Sequence, residues 1–156
     1  MRRVSVCQGL LALAVAVLLG GALKFLVLGQ TAPGDDGRTA VLLTPGERQS
    51  VLAEMRQLLE AVQGVLAALA EGDRERAAAA AEAVGMQATS TMDGVLMGKL
   101  PLPFKKMGFA THGGFDEIAG LIRSGAPVEQ IQARLAQTME NCVACHATYQ
   151  LPVQAP

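Results

Sequence analysis

The sequence is poor in aromatic residues and in charge. Trp is absent, Tyr occurs once, aromatic residues make up 3% of the chain and charged residues 17%. Because β-sheets favour aromatic and β-branched side chains, the shortage of aromatics disfavours a β-sandwich. Three cysteines are too few for a scaffold held together by disulfides. A net charge of -1 without a basic stripe disfavours binding to nucleic acid, and a hydrophobic content of 51% excludes a disordered chain.

Residues 1–30 are predicted to be a signal-anchor or a signal peptide. They begin with Arg2 and Arg3, continue as an apolar run and carry one further charge, Lys24. A helix of this length spans a hydrocarbon core of ~30 Å, and the paired arginines favour a cytoplasmic N-terminus. The small residues 20–22 suit a cleavage site, which would release a soluble periplasmic domain. We favour an uncleaved anchor on the periplasmic side of the inner membrane, because the apolar run resumes beyond that site.

The exported part is predicted to contain a linker at 31–43, a folded domain at 44–150 and a C-terminal tail at 151–156. The linker assignment rests on clusters of Gly, Pro, Asp and Thr. Helical periodicity and turn residues predict helices at 45–71, 74–97, 104–124 and 127–149. Glycines predict a frayed second half of the second helix and a break in the third near Gly113. Short connections then give an all-α chain with an antiparallel up-down-up-down four-helix bundle after the N-terminal transmembrane or signal helix.

The first predicted helix of the bundle has the strongest start signal. Thr44 can cap it, Pro45 suits the first helical position, and Glu47 completes a capping box. Apolar residues then recur at spacings of three and four, and Met55 lies on this stripe. Packing in the core is the ordinary role for such a Met.

The last predicted helix carries the motif C-x-x-C-H, formed by Cys142, Cys145 and His146. This is the attachment signature of c-type haem. Two thiols three residues apart on a helix share one face and reach the two vinyl groups of one porphyrin, while the next residue projects an imidazole towards the iron. Haem attachment to such motifs takes place outside the cytoplasm, in agreement with the export signal.

The cysteine pair also allows two other interpretations, a thiol redox pair and a zinc site. A thiol redox pair normally opens a helix after a strand, whereas this pair closes a helix. A tetrahedral zinc site would need a fourth ligand, for which His112 is the candidate beside Cys142, Cys145 and His146.

A C-x-x-C-H motif on the last helix of an exported all-α domain resembles the class II c-type cytochromes, the cytochrome c-prime family. The resemblance covers about residues 44–150 and is most specific at the motif itself. It implies one covalently bound haem c, with thioethers to Cys142 and Cys145 and with His146 as the proximal iron ligand. It also implies that the haem lies inside the bundle with its distal face against the first helix.

The resemblance implies two alternatives for the sixth iron position. Low-spin relatives place a Met of the first helix on the iron and transfer electrons, and Met55 is the matching residue. High-spin relatives leave the position open and bind nitric oxide or carbon monoxide, in which case Leu52 or Leu59 would cover it. A bis-His site with His112 is a third alternative.

The leading hypothesis is therefore an exported, membrane-tethered monohaem cytochrome that carries single electrons between redox protein partners at the membrane. Arg48 and Arg56 are candidates for contact with the haem propionates, although a solvated helix face explains each equally well. The adjacent Lys105 and Lys106 suit a docking patch or a solvated pair. We predict no enzyme activity, because no hydrolytic or acid–base constellation is apparent. Class II relatives often form homodimers through their first two helices, and the Ala-rich second helix permits this without requiring it.

Overall fold

The computed structural model describes residues 6–153, with side chains from residue 8 onward. Arg2, Arg3 and the tail residues 154–156 lie outside the described residues. The protein is mostly helical, at 76%. Its helices are α1 (Val6–Leu23), α2 (Pro45–Ala70), α3 (Arg74–Glu82), α4 (Gly94–Lys99), α5 (Leu102–Arg123) and α6 (Val128–Thr148). Its strands are β1 (Thr31–Pro33), β2 (Thr39–Val41) and β3 (Tyr149–Gln150).

The N-terminal apolar segment forms one long helical stretch. Gln8–Leu28 is long and apolar enough to cross a membrane, as a signal sequence also is, and none of it is buried against the rest of the chain. Its last turn, Lys24–Leu28, is a π-helix that touches the domain. There the ring of Phe25 lies against Gly98, and Lys105 Nζ donates a hydrogen bond to the Leu26 carbonyl at 2.9 Å. The apolar helix therefore ends on the domain rather than in a free connection.

Residues 31–43, expected to be a flexible linker, are folded. Strands β1 and β2 form an antiparallel hairpin, and β2 also pairs in parallel with β3 at the end of α6. Val41 and Leu43 are buried, with 0% and 2% of their surface exposed. The Gly and Asp residues that suggested a linker form the turn of the hairpin, and the apolar residues after it enter the core.

Helix α2 confirms the predicted helix at 45–71 and its capping box. The Thr44 hydroxyl accepts a hydrogen bond from the Glu47 amide at 3.4 Å, and the Glu47 carboxylate accepts one from the Thr44 amide at 2.8 Å. The same carboxylate pairs with Lys99 Nζ at 2.6 Å, and both side chains are mostly buried. The start of α2 is thereby fixed to the end of α4.

The remaining predicted helices differ from the structure in two respects. The second, predicted as one helix at 74–97 with a frayed second half, is wrong beyond Glu82: α3 ends there, and a 3-10 turn at Met86–Thr91 and the short α4 follow as separate elements. The predicted break near Gly113 is wrong, since α5 continues through it. Gly114 explains why the helix tolerates glycine here, because a Cβ on it would lie 2.5 Å from Thr138 Oγ1 of α6. The fourth predicted helix, 127–149, is confirmed by α6.

The helices pack in sequence, α2 against α3, α3 against α5 and α5 against α6. Small side chains allow α3 to approach closely, and Ala77, Ala78 and Ala81 are completely buried. They share a large core with Phe115 and Ile118 of α5. The small-residue face formed by these three alanines therefore serves packing within the chain.

We predict opposite effects of alanine at two adjacent glycines of α5. Gly113→Ala has open space for its Cβ and should stabilise the helix by up to ~1 kcal/mol through helix propensity. Gly114→Ala should lower the free energy of unfolding by about 1–3 kcal/mol, because its Cβ would collide with Thr138. Thermal denaturation of the full chain in detergent, followed by circular dichroism, measures both. Equal stability of the two variants would contradict the packing of α5 on α6.

Candidate functional site

The last two turns of α6 carry the candidate site. Cys142 and Cys145 are half-buried free thiols, and the His146 side chain is exposed. Burial raises the pKa of both thiols, so that both are neutral near pH 7. The His146 ring forms no hydrogen bond with any residue of the described part of the chain. The motif therefore presents two S–H groups and an imidazole without a partner.

Cys145 packs in a cluster that we call the Cys145 cluster. Its other partly buried members are Met55, Met97, Tyr149 and Leu151, and its buried members are Val41, Leu43, Val51, Leu96, Leu100 and Phe104. Met55 of α2 and Cys145 of α6 thus belong to the same apolar cluster, although 90 positions separate them in the sequence. The cluster brings together the two residues that sequence reasoning had paired only through a resemblance.

The two arginines predicted to contact propionates occupy different environments. Arg48, in the first turn of α2, donates a hydrogen bond from Nε to the Leu151 carbonyl at 2.8 Å. Arg56 is exposed, and its guanidinium makes no hydrogen bond within residues 6–153. Arg48 therefore holds the segment after α6 against α2, whereas Arg56 lies on a solvated face.

A third arginine, which sequence reasoning missed, is Arg38 of the hairpin, which contacts the end of α6. Arg38 Nη1 donates hydrogen bonds to the carbonyls of His146 at 3.2 Å and Tyr149 at 3.3 Å. Its Nε also binds the Asp36 carboxylate at 2.8 Å. No local sequence signal marks this contact, because Arg38 and His146 are 108 positions apart.

Two cavities adjoin the Cys145 cluster. An open cleft of about 410 Å³ lies between α2 and the segment 84–96, and a smaller pocket of about 50 Å³ lies beside α5. Neither is lined by Cys142, Cys145 or His146. Val51 connects them with the site, since it lines both cavities and packs in the same cluster as Cys145.

His112 lies in the wall of both cavities and is 4% exposed. Its Nδ1 is 2.8 Å from the Val84 carbonyl, and its Nε2 is 3.0 Å from Glu54 Oε1. Burial by itself lowers the pKa of His112, but the hydrogen bonds to Glu54 and Val84 and the nearby carboxylates raise it above its ordinary value. Both ring nitrogens are occupied, so that iron ligation by His112 would require breaking one of these contacts.

The zinc interpretation gains no support from these positions. Within residues 6–153, no three His, Cys, Asp or Glu side chains are grouped so that they could hold a metal ion. His112 lies with Glu54 and Val84 instead of with the cysteines.

The chemistry of the donor set fits a covalently held haem. Addition to a vinyl group requires a free thiol, and neither Cys142 nor Cys145 forms a disulfide. Iron requires a neutral imidazole nitrogen, and no group in the described part of the chain competes for His146. A thioether sulfur, that of Met55, lies in the same cluster as Cys145.

We expect the His112–Glu54 contact to make stability depend on pH. Since the folded-state pKa of His112 lies above the ordinary value of 6.5, the folded protein binds the proton more tightly than the unfolded chain. The resulting stability is fully present below pH 6.5 and is lost as the pH rises through the raised pKa. The melting temperature of the full chain, compared with that of His112→Gln between pH 5.5 and pH 8.5, measures it.

The loss caused by His112→Gln should be larger at the acidic end of this range. Glu54→Gln keeps the histidine and removes the carboxylate, so it should reduce the same pH dependence. If the melting temperatures of the wild type and His112→Gln changed with pH in parallel, protonation of His112 would contribute nothing to stability.

Comparison with known proteins adds no relative to this description. The sequence matches no known family model, and no curated protein or solved structure is significantly similar to it.

Proposed function

We propose that the protein is a monohaem c-type cytochrome that carries single electrons between redox partners at a membrane. One observation carries the proposal: the thiol of Cys145, beside an unpartnered His146 imidazole, packs in the same apolar cluster as Met55. A haem c would be held by thioethers from Cys142 and Cys145, with His146 as the proximal and Met55 as the distal iron ligand. When bound, the haem supplies a reversible one-electron couple whose potential is raised by His/Met ligation.

The residues of the chain contribute an apolar and ordered environment for this couple. The Cys145 cluster supplies buried side chains from α2, α4 and α5, including Val51, Leu96 and Phe104. Met55 and Cys145 pack against these apolar side chains, and an environment of lower dielectric constant strengthens the electrostatic interactions within it. Packing of Met55 in this cluster also limits its rearrangement when the charge on the haem changes.

The proposal includes the arrangement of the helices. In it, α2, the bent pair α3 and α4, α5 and α6 form the antiparallel four-helix bundle of a class II c-type cytochrome. The sequential packing of α2 on α3, α3 on α5 and α5 on α6, with short turns between α2 and α3 and between α5 and α6, supports this arrangement.

The proposed location is the periplasmic side of the inner membrane, with the apolar helix as an anchor. The length and composition of Gln8–Leu28 support a membrane span. A tethered carrier has a high effective concentration near membrane redox proteins, which are the proposed partners. The contact of Phe25 with Gly98 supports an anchor that belongs to the folded unit.

The covalent haem is tested by the intact mass and a pyridine haemochrome assay on protein from a host that matures c-type cytochromes. We expect one haem per chain in the wild type and none in the Cys142→Ser/Cys145→Ser variant, since both thioethers are then lost. Cys7→Ser, which removes the one cysteine outside the motif, should keep the haem. An apoprotein mass for the wild type would end the proposal.

The distal ligand is tested by Met55→Leu, which preserves the apolar volume and removes the sulfur. The optical spectrum should change from low-spin to high-spin in the ferric state, and the ferrous protein should gain rapid binding of carbon monoxide. Met97→Leu is the matched control, because Met97 is also partly buried in the Cys145 cluster. A wild-type spectrum that is already high-spin would favour the alternative function, an open haem that binds nitric oxide or carbon monoxide.

A further inference from the structure

The hairpin formed by β1 and β2 has no role in the function proposed so far, yet it contacts the end of the motif helix. Thr39 and Ala40 of β2 pair in parallel with Tyr149 and Gln150 of β3, which follows α6 directly. The turn of the hairpin places Arg38 against the same segment. The hairpin, which precedes α2, therefore packs against the segment that follows α6.

Arg38 satisfies backbone groups that a helix leaves open at its end. The last carbonyls of a helix lack partners within the helix and carry its negative dipole end. In α6 the Tyr149 amide binds the Cys145 carbonyl, and Arg38 Nη1 reaches the carbonyls of His146 and Tyr149. A guanidinium at this position stabilises the helix end by hydrogen bonding and by charge.

Arg38 is itself held in place from two sides. The Asp36 carboxylate accepts hydrogen bonds from Arg38 Nε at 2.8 Å and from the Arg38 amide at 3.1 Å, and it pairs with Nη2 at 2.6 Å. Gln150 Nε2 donates to the same carboxylate at 3.1 Å. Asp36, Arg38, Gln150 and the His146 carbonyl thus form one connected network.

We propose that Arg38 is a positioning residue for the His146 imidazole, acting through the backbone of His146. The inference rests on the proposed function, in which this imidazole binds the haem iron. No side chain of the described residues holds the ring, so its direction depends on the backbone from which it projects. Arg38 binds the carbonyl of that same residue, and the network around Asp36 fixes the guanidinium.

A positioning role and a charge effect make different predictions. If Arg38 acted through its charge, Arg38→Gln would leave Asp36 unpaired and lower the reduction potential, whereas Asp36→Asn would leave Arg38 unpaired and raise it. If Arg38 positions His146, both substitutions loosen the same network and change the ferric spectrum and the potential in the same direction. Arg38→Lys keeps the charge but loses the planar guanidinium with its several N–H donors, so it should retain the wild-type spectrum and potential only in part.

The experiment uses the full chain in detergent, purified from a host that attaches c-type haem. Amide hydrogen exchange is measured over residues 146–150, and electron paramagnetic resonance and the reduction potential are measured on haem-loaded protein. We expect Arg38→Gln to reduce protection over these residues about tenfold, as the loss of a charged hydrogen bond does. We also expect a mixture of ferric signals in Arg38→Gln and Asp36→Asn.

Arg76→Gln is the matched control, because Arg76 makes an exposed pair with Glu71 between α2 and α3 and should leave all three measurements unchanged. Opposite shifts of the potential in Arg38→Gln and Asp36→Asn, or unchanged exchange and spectra in both, would overturn the positioning role. A haem-free wild type would instead end the proposed function. Hydrogen exchange on that haem-free protein would still decide whether Arg38 holds this helix end, and unchanged protection in Arg38→Gln would overturn the inference there also.

Discussion

The parallel pairing of β2 with β3 joins two parts of the chain that are more than one hundred positions apart. Only a few backbone hydrogen bonds form this pairing, but it brings residues from both ends of the folded domain into one apolar cluster. Val41, the last residue of β2, and Leu43, which follows the strand, enter the Cys145 cluster, and Tyr149 enters it from β3. The Phe104 and Tyr149 rings then meet edge to face, with centroids 5.3 Å apart. The motif at the end of α6 is therefore fixed by the hairpin as well as by the helices.

Contacts between residues close together in the sequence were predictable, whereas contacts between distant residues were not. The capping box of Thr44 and Glu47 involves residues three apart, and the sequence pattern predicted both its residues and its effect. The identification of Cys142, Cys145 and His146 as a candidate site also follows from local spacing. The prediction of a linker at the hairpin was wrong, because the third strand of the sheet, β3, is more than one hundred positions away in the sequence. The same distance hid Arg38 and the contact between His112 and Glu54.

Glycine in α5 illustrates a further limit of local patterns. Propensity predicted a break near Gly113, but the neighbouring Gly114 fills a position where α5 approaches Thr138 of α6 closely. The loss of helix propensity is offset by packing that only a residue without Cβ permits. The stripe containing Met55 was predicted only in part, since Val51, Val65 and Leu69 are buried and Met55 is partly buried, whereas Leu59 and Leu66 are exposed. The periodicity of α2 could not show that Met55 shares a cluster with Cys145, because the placing of α2 beside α6 is a property of the whole fold.

The sequence distance between β2 and β3 has a consequence for the order of folding. Synthesis proceeds from the N-terminus, so the hairpin is made before α2 to α6, and β2 waits for Tyr149 and Gln150 until these helices have been made. Until then the edge of β2 has no strand beside it, and Arg38 has no helix end to bind. Closure of the sheet is therefore a late step, because its two parallel strands come from opposite sides of the helical domain.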